Sequence, residues 1–490
     1  MKKMYWSILV AALAGACSQT PPETQVVNDA ADALGGRDRI LAVRTITAEG
    51  GGTDGAVGGG ATPDAPPNTF KVTEYKRTLD LANGRMNLQQ VRTAQFAFAN
   101  AVVTRQNQSL DGDVAFNVGQ NGMPARANDD AAKTRRLEML QHPVTAVRAA
   151  LDPAARITNL RTEDGQQHVD VTTAKGDTVT LAIDPTTKLP THVSFPDYDA
   201  NWGDIVVEAQ FSDYENVGGL QLPKHIVTKQ DAWMTTDRQI TKNTVDADAG
   251  TLAAPEAVRT ATPPTPAPIN VTVEEFGKGM WWLAGGSHHS VVIEFDDHLT
   301  MFEVPLTEAR TKAVIERARA LVPAKPLTHA IVSHHHLDHA GGFRTAVAEG
   351  LTIITHRGNE AFFRDLATRP HTLGQDALAR NPKPFMIELV DDSLTLKDNT
   401  NEVILYKSNG NIHSGLLLYG WVPRDRTLIQ ADFYDVNWFW HPWGDNFIEN
   451  LAARKLNPVR HIPIHGKIQK HAEVLAVLKE KPKGPPNATE

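Results

Sequence analysis

The chain has 490 residues, and its 49 Lys and Arg against 57 Asp and Glu give a formal net charge of −8. With no Lys/Arg cluster, this acidic balance argues against a nucleic-acid-binding surface. Cys17 is the only cysteine, which excludes disulfide bonds within the chain and leaves nitrogen and oxygen atoms as metal ligands.

The first 16 residues have the pattern of a bacterial signal peptide. A basic start is followed by an apolar stretch over residues 8–13, which is too short to span a bilayer. The run Ala14-Gly15-Ala16-Cys17 resembles a lipobox, although ordinary cleavage after Ala16 is the alternative. Acylation removes a lone thiol that would otherwise be a liability in an oxidising compartment. We therefore expect an outer-membrane lipoprotein that faces the periplasm and touches the membrane only through a lipid anchor on Cys17.

Residues 17–262 are predicted to form an antiparallel β-rich domain. Short strands are expected at 167–173, 178–183, 191–195, 205–211 and 220–227, with one helix near 129–140. Residues 50–67 are rich in Gly and Pro and predict a mobile loop. The stretch 33–49 resembles the start of lipoprotein-carrier-like curved sheets. The role of this domain stays open between substrate capture, partner binding and packing over an active site.

A Pro-rich linker at residues 263–269 precedes a second domain, residues 270–490. In this domain an apolar run at 330–332 leads into His334-His335-His336-Leu337-Asp338-His339. In an extended chain His334 and His336 point the same way, and Asp338 and His339 then fall on the following turn. This spacing predicts two adjacent metal positions rather than a solvated polar loop or a histidine storage tract.

Further ligand candidates follow, each at the end of a short apolar strand. His413 follows a strand at 402–406, Asp432 follows one at 427–430, and His465 ends an apolar run at 461–464. Each of these residues taken alone is more typical of a turn or a helix cap. Their order after the histidine packet favours a metal site instead.

Together these residues resemble the metallo-β-lactamase-fold hydrolase superfamily over residues 270–490. The resemblance implies an α+β protein whose C-terminal part is an αββα sandwich, with residues 281–283 and 290–295 as its opening hairpin. It also implies one zinc held by His334, His336 and His413, a second held by Asp338, His339 and His465, and Asp432 bridging both. The chain departs from the pattern at Glu303, where the family commonly has Asp.

The implied activity is that of a dinuclear zinc hydrolase. A metal-bound hydroxide would attack the substrate, with Asp338 as the catalytic residue that binds metal and orients the hydroxide. We expect a small-molecule ester or lactone as substrate. An amide, including a β-lactam, is the alternative, and a non-catalytic envelope binding lipoprotein is the alternative outside the enzymes.

Residues around the metals are harder to assign. Trp438 and Trp440 are predicted to form an aromatic wall against the substrate, although they would equally fill a core between sheet and helix. His441 and Lys467 are further substrate-binding candidates, with a spectator histidine and a solvated lysine as their alternatives. The oligomeric state stays open.

Overall fold

The structure is a computed structural model and describes residues 20–96, 103–434 and 444–480. The signal peptide and Cys17 lie outside the described residues, so the predictions made for them stay predictions. Within the described ranges, every helix is too short or too polar to cross a membrane.

The N-terminal part contains one large antiparallel sheet. Its strands are β1 (Thr45–Ala56), β2 (Asn68–Asp80), β3 (Arg85–Ala94), β4 (Val103–Asp111), β5 (Val114–Val118), β6 (Pro124–Arg126), β7 (Arg156–Glu163), β8 (Gln166–Thr172), β9 (Thr178–Ile183), β10 (Pro190–Asp199), β11 (Gly203–Val217), β12 (Leu220–Gln230) and β13 (Trp233–Val245). The sheet order is β6-β5-β4-β3-β2-β1-β13-β12-β11-β10-β9-β8-β7. Two meanders are therefore joined where β1 pairs with β13, for example Ile46 with Val245.

Helices cover part of this sheet. They are α1 (Pro22–Leu34), α2 (Arg37–Ala42), α3 (Asp129–Leu140), α4 (Pro143–Ala150) and α5 (Glu256–Arg259). Val27 and Leu34 of α1 are seven residues apart and lie on one face, where they share a buried core with Val147 of α4 and Leu181 of β9. The predicted antiparallel meander and the helix at 129–140 are confirmed.

The prediction of a loop over residues 50–67 was wrong for its first seven residues. Residues 50–56 belong to β1, and the connection to β2 is confined to residues 57–67. The glycines allow two strands to approach closely at irregular points of the ladder: a Cβ on Gly50 would lie 2.0 Å from the Gln239 oxygen, and one on Gly52 would lie 1.9 Å from the Asp237 oxygen. Glycine in this strand therefore marks a β-bulge rather than a turn.

The C-terminal part contains two sheets. The first consists of β14 (Thr272–Gly277), β15 (Met280–Ala284), β16 (Ser290–Glu294), β17 (Leu299–Phe302), β18 (Leu327–Ile331), β19 (Thr352–His356) and β20 (Ile387–Val390). The second consists of β21 (Ser393–Lys397), β22 (Glu402–Lys407), β23 (Leu418–Val422), β24 (Thr427–Gln430), β25 (Arg460–Pro463) and β26 (Gln469–Lys470). Strands β17 to β20 are parallel, as are β24 and β25.

Helices lie on the outer faces of both sheets. They are α6 (Glu308–Arg319), α7 (Leu337–Ala340), α8 (Phe343–Ala348), α9 (Glu360–Thr368), α10 (Ala377–Arg380), α11 (Gly444–Ala453) and α12 (His471–Glu480), with a 3-10 turn at Arg357–Asn359. Along β16, Val292 packs with α6 and α8, whereas Val291 and Ile293 face the second sheet, because successive strand side chains alternate. The second sheet packs its other face on Phe447 of α11. The predicted helix–sheet–sheet–helix layering is confirmed.

The N-terminal sheet is docked on the segment around α9. The Asp204 carboxylate accepts hydrogen bonds from the backbone N–H groups of Thr372 and Leu373, both at 2.9 Å. Arg369 forms an ion pair with Asp231 at 2.5 Å. These charged contacts come from the start of β11 and from the residue that follows β12, so that end of the N-terminal sheet is held against the C-terminal part.

Candidate metal centre

The histidine packet lies at one edge of the two stacked sheets. It begins three residues after the end of β18, and its second half lies in α7. Asp432 follows β24, and His465 follows the parallel strand β25, while His413 lies in the β22–β23 connection. Because parallel strands end at a common edge of a sheet, these sequence-distant side chains meet there.

The first group of potential ligands consists of His334, His336, His413 and Asp432, all buried. Each offers one atom, and these atoms lie within 4.8 Å of one another. His336 Nδ1 is 3.0 Å from His413 Nε2, which is in turn 2.7 Å from Asp432 Oδ2. Three imidazoles and a carboxylate at such separations form a donor set that suits zinc.

The second group consists of His288, Asp338, His339 and His465. His339 Nε2 is 3.1 Å from His465 Nε2, and His288 Nε2 is 3.1 Å from Asp338 Oδ2. His339 is fully buried, whereas the Asp338 side chain is 46% exposed. The second group thus presents one accessible carboxylate beside its buried imidazole.

Asp432 lies between the two groups. Its Oδ2 atom is 2.7 Å from His413 Nε2 and 3.2 Å from His339 Nε2, and its Oδ1 atom is 2.9 Å from His465 Nε2. The turn that carries it is held by Gln430, whose side-chain oxygen accepts hydrogen bonds from the backbone of the two residues after Asp432. Asp432 therefore contacts imidazoles of both groups.

The residues present fit a metal. His334 Nδ1 contacts Ser333 Oγ at 2.9 Å, which leaves the buried Nε2 atom facing the site without a hydrogen-bond partner among the described residues. Burial lowers the pKa of His334, and burial together with nearby His413 lowers that of His336 to about 4. Both imidazoles are therefore neutral at pH 7, the form that ligates metal.

The charges of the other ligands also fit. Burial by itself would raise the pKa of Asp432, but nearby His339, His413 and His465 hold it well below its usual value. Burial would lower the pKa of His339, yet Asp432 and Asp338 raise it well above its usual value. The carboxylates thus attract a proton to His339 in the metal-free protein, and a metal cation would replace that proton.

Glu303 supplies an outer carboxylate. It is completely buried, adopts a positive φ of 72°, and its Oε1 atom lies 3.7 Å from His339 Nδ1. Outer carboxylates of this kind orient a ligating imidazole through its second nitrogen. The glutamate at this position, where the sequence departs from the family pattern, therefore places a carboxyl group beside His339.

The sequence reasoning missed His288. It lies in the β15–β16 turn, next to His289. This pair of adjacent histidines is the only sequence feature that could have indicated a ligand here. His289 Nε2 contacts the Gly466 carbonyl at 2.9 Å, next to His465. His288 is therefore a potential ligand, and His289 holds the segment that carries another potential ligand, His465.

We expect His288→Ala to weaken the second metal position by about 10–100-fold while the first keeps its affinity, because His288 contacts only ligands of the second group. Zinc titration against a competing chelator resolves the two affinities. His298→Ala, a half-buried histidine outside both groups, serves as the control. Two unchanged affinities in His288→Ala would contradict this assignment.

The predicted substrate residues stand apart from this geometry. Trp438, Trp440 and His441 lie outside the described residues. Lys467 is exposed, two residues after His465. Their substrate roles stay predictions, whereas all seven predicted metal ligands are brought together.

Residues 283–374 match the sequence model of the Metallo-beta-lactamase superfamily, so the chain contains a domain of that superfamily. The matched range includes the histidine packet, and the later ligands lie beyond it.

Similar solved structures are metallo-beta-lactamases. The enzyme from Pontibacter korlensis is 13% identical and aligns over 43% of this chain and 100% of its own, with a TM-score of 0.35. The enzyme from Hirschia baltica is 16% identical over 43% of this chain and 96% of its own, with a TM-score of 0.33. DIM-1 metallo-beta-lactamase is 16% identical over 43% of this chain and 97% of its own, with a TM-score of 0.35. Comparison with curated proteins gives no significant match.

Proposed function

We propose that this chain is a dinuclear zinc hydrolase that cleaves an ester or a lactone of a small molecule. The observation that carries the proposal is the convergence of ligands from separate segments into two adjoining groups with Asp432 between them. A scaffold that only bound a partner would have no physical reason to bury so many histidines and carboxylates together, since burial of such groups is costly unless they are paired or ligate metal.

Each group has a role in this reaction. The chemistry that zinc ions supply when bound is Lewis acidity, which lowers the pKa of water and polarises a carbonyl. His334, His336 and His413 would hold the first metal ion in the buried part of the site. Asp338, the accessible carboxylate, accepts a hydrogen bond from the attacking water and orients it toward the substrate carbonyl.

An ester or lactone is the proposed substrate class because an alkoxide leaves a tetrahedral carbon more readily than an amide nitrogen does. Hydrolysis of an amide, including a β-lactam, is the competing outcome. The location proposed for the enzyme, anchored by Cys17 and facing the periplasm, rests on the sequence alone.

The test is a substrate panel of aryl esters, lactones, thioesters, phosphodiesters and β-lactams, assayed before and after removal of metal with a chelator. We expect ester or lactone hydrolysis that disappears with the chelator and returns when zinc is added. Metal analysis of the loaded protein should give two zinc ions per chain. Fewer than one zinc per chain would contradict the dinuclear proposal, and β-lactam turnover exceeding ester and lactone turnover would reassign the substrate.

A further inference from the structure

A loop of the N-terminal domain reaches the metal centre. This β1–β2 loop, residues 57–67, places the carbonyl oxygen of Gly60 2.9 Å from His336 Nε2, at a buried position. The next carbonyl, that of Ala61, accepts a hydrogen bond from the Gly415 N–H at 2.9 Å, two residues after His413. The loop therefore contacts both segments that carry ligands of the first group.

We propose that the main-chain carbonyl of Gly60 is a positioning group for the metal ligand His336, so that the N-terminal domain completes the metal centre of the C-terminal domain. This inference rests on the first metal position of the proposed function. Of the roles that the sequence left open for the N-terminal domain, the inference favours packing over the active site.

The reason lies in the two nitrogens of a neutral imidazole. One carries the hydrogen and donates, and only the other has a lone pair for a metal. Donation from His336 Nε2 to Gly60 leaves Nδ1 unprotonated, and Nδ1 is the atom that faces the first group, 3.0 Å from His413 Nε2. A fixed acceptor on one nitrogen thereby sets both the tautomer and the ring orientation needed for ligation.

The acceptor is fixed because the loop is tightly packed. A Cβ on Gly60 would lie 2.9 Å from Ala65 Cβ and 3.0 Å from the Pro66 oxygen, so the chain folds back on itself at this point. A Cβ on Gly58 would lie 3.1 Å from the Trp202 ring. Glycine is thus required sterically at the residue that offers the carbonyl, because any side chain there pushes the loop away.

The β10–β11 turn, whose Trp202 ring lies beside Gly58 of the loop, also contacts the C-terminal part near His336. Trp202, in the β10–β11 turn, packs edge-to-face on Phe362 of α9 with 5.6 Å between ring centroids. Phe362 in turn packs on His335 at 5.6 Å, next to His336 in the chain. The contacts that hold the N-terminal sheet on the C-terminal part therefore continue, through Phe362, to the residue next to His336.

The first test is spectroscopic and uses the full metal-free chain. Long-range nitrogen–proton NMR correlations of histidine distinguish the two tautomers, and we expect His336 in wild-type protein to carry its hydrogen on Nε2, with slow exchange. A wild-type His336 protonated on Nδ1 would overturn the proposal. This readout needs no variant to fold and no substrate.

The second test compares Gly60→Ala with Gly59→Ala. Gly60→Ala must displace the loop, and we expect about 10–100-fold weaker zinc binding at the first position together with a mixed His336 tautomer. Gly59→Ala makes the same chemical change one residue earlier, where the added Cβ would meet its nearest atom, Asn68 Nδ2, at an ordinary 3.4 Å. We expect wild-type zinc affinity in this control.

The outcomes separate this inference from the proposed function. Wild-type protein that binds no zinc contradicts the proposed function, while the tautomer measurement still decides whether Gly60 orients His336. Zinc affinity at the first position that is equal in wild type and folded Gly60→Ala contradicts the inference and leaves the hydrolase proposal intact. Thermal unfolding of each variant shows whether it is folded.

Discussion

Asp432→Ala is expected to abolish hydrolysis and to remove zinc from both positions. The carboxylate lies between the two groups, 2.7 Å from His413 Nε2 and 2.9 Å from His465 Nε2, so its loss withdraws a ligand from each metal at once. Loss of an outer partner alone commonly costs about 10–100-fold, and loss of a shared ligand should cost more. Steady-state kinetics and metal analysis of the purified variant measure both effects.

The control for this variant is Asp391→Ala. Asp391 is an exposed carboxylate that pairs with Arg357 at 2.6 Å on the surface, away from both groups. Its removal should change neither zinc content nor activity, since exposed ion pairs contribute little. Circular dichroism establishes that both variants are folded. Wild-type hydrolysis by a folded Asp432→Ala protein would refute the bridging assignment.

His336→Ala is expected to lose hydrolysis by a different route, through the first metal position alone. The ring is buried with His334 and His413, and no ligand of the second group is within that cluster. We expect one zinc per chain in place of two, and a fall in kcat of more than about 100-fold, because the remaining site lacks half of the metal chemistry.

The matched control is His356→Ala, which removes another histidine at the end of a parallel strand of the same sheet. His356 ends β19 and accepts a hydrogen bond from the Gly358 N–H, outside both groups. It should retain two zinc ions and wild-type turnover. A His336→Ala protein with two tightly bound zincs, or with full activity, would show that His336 is not a ligand.

Much of the fold was predictable because its signals are local. Strands such as β9 and β24 are short apolar runs between turn residues, and the helix at Asp129–Leu140 begins where the Asn128 side chain caps the Ala131 N–H. The histidine packet could also be predicted from the sequence, because side chains two residues apart in an extended chain, such as His334 and His336, lie on the same face.

Other features were not readable because they depend on approach between distant segments. From the sequence alone, the glycines of β1 indicate a loop. In the structure they lie in a strand, where the close approach of the β13 backbone leaves no room for a Cβ atom. His288 carries no ligand spacing of its own, and it joins the second group only because the β15–β16 turn lies against α7.

The sequence by itself determined which residue types are available to the metals and in what order they follow the strands, since ligand chemistry and strand periodicity are properties of short segments. Only the tertiary structure decided how the groups share Asp432, that His288 joins them, and that the Gly60 carbonyl meets His336 across 276 positions of chain. A main-chain carbonyl has no identity in the sequence, because every residue carries one. Its proposed use as a positioning group arises solely from where the packing of the N-terminal sheet against the C-terminal part leaves it.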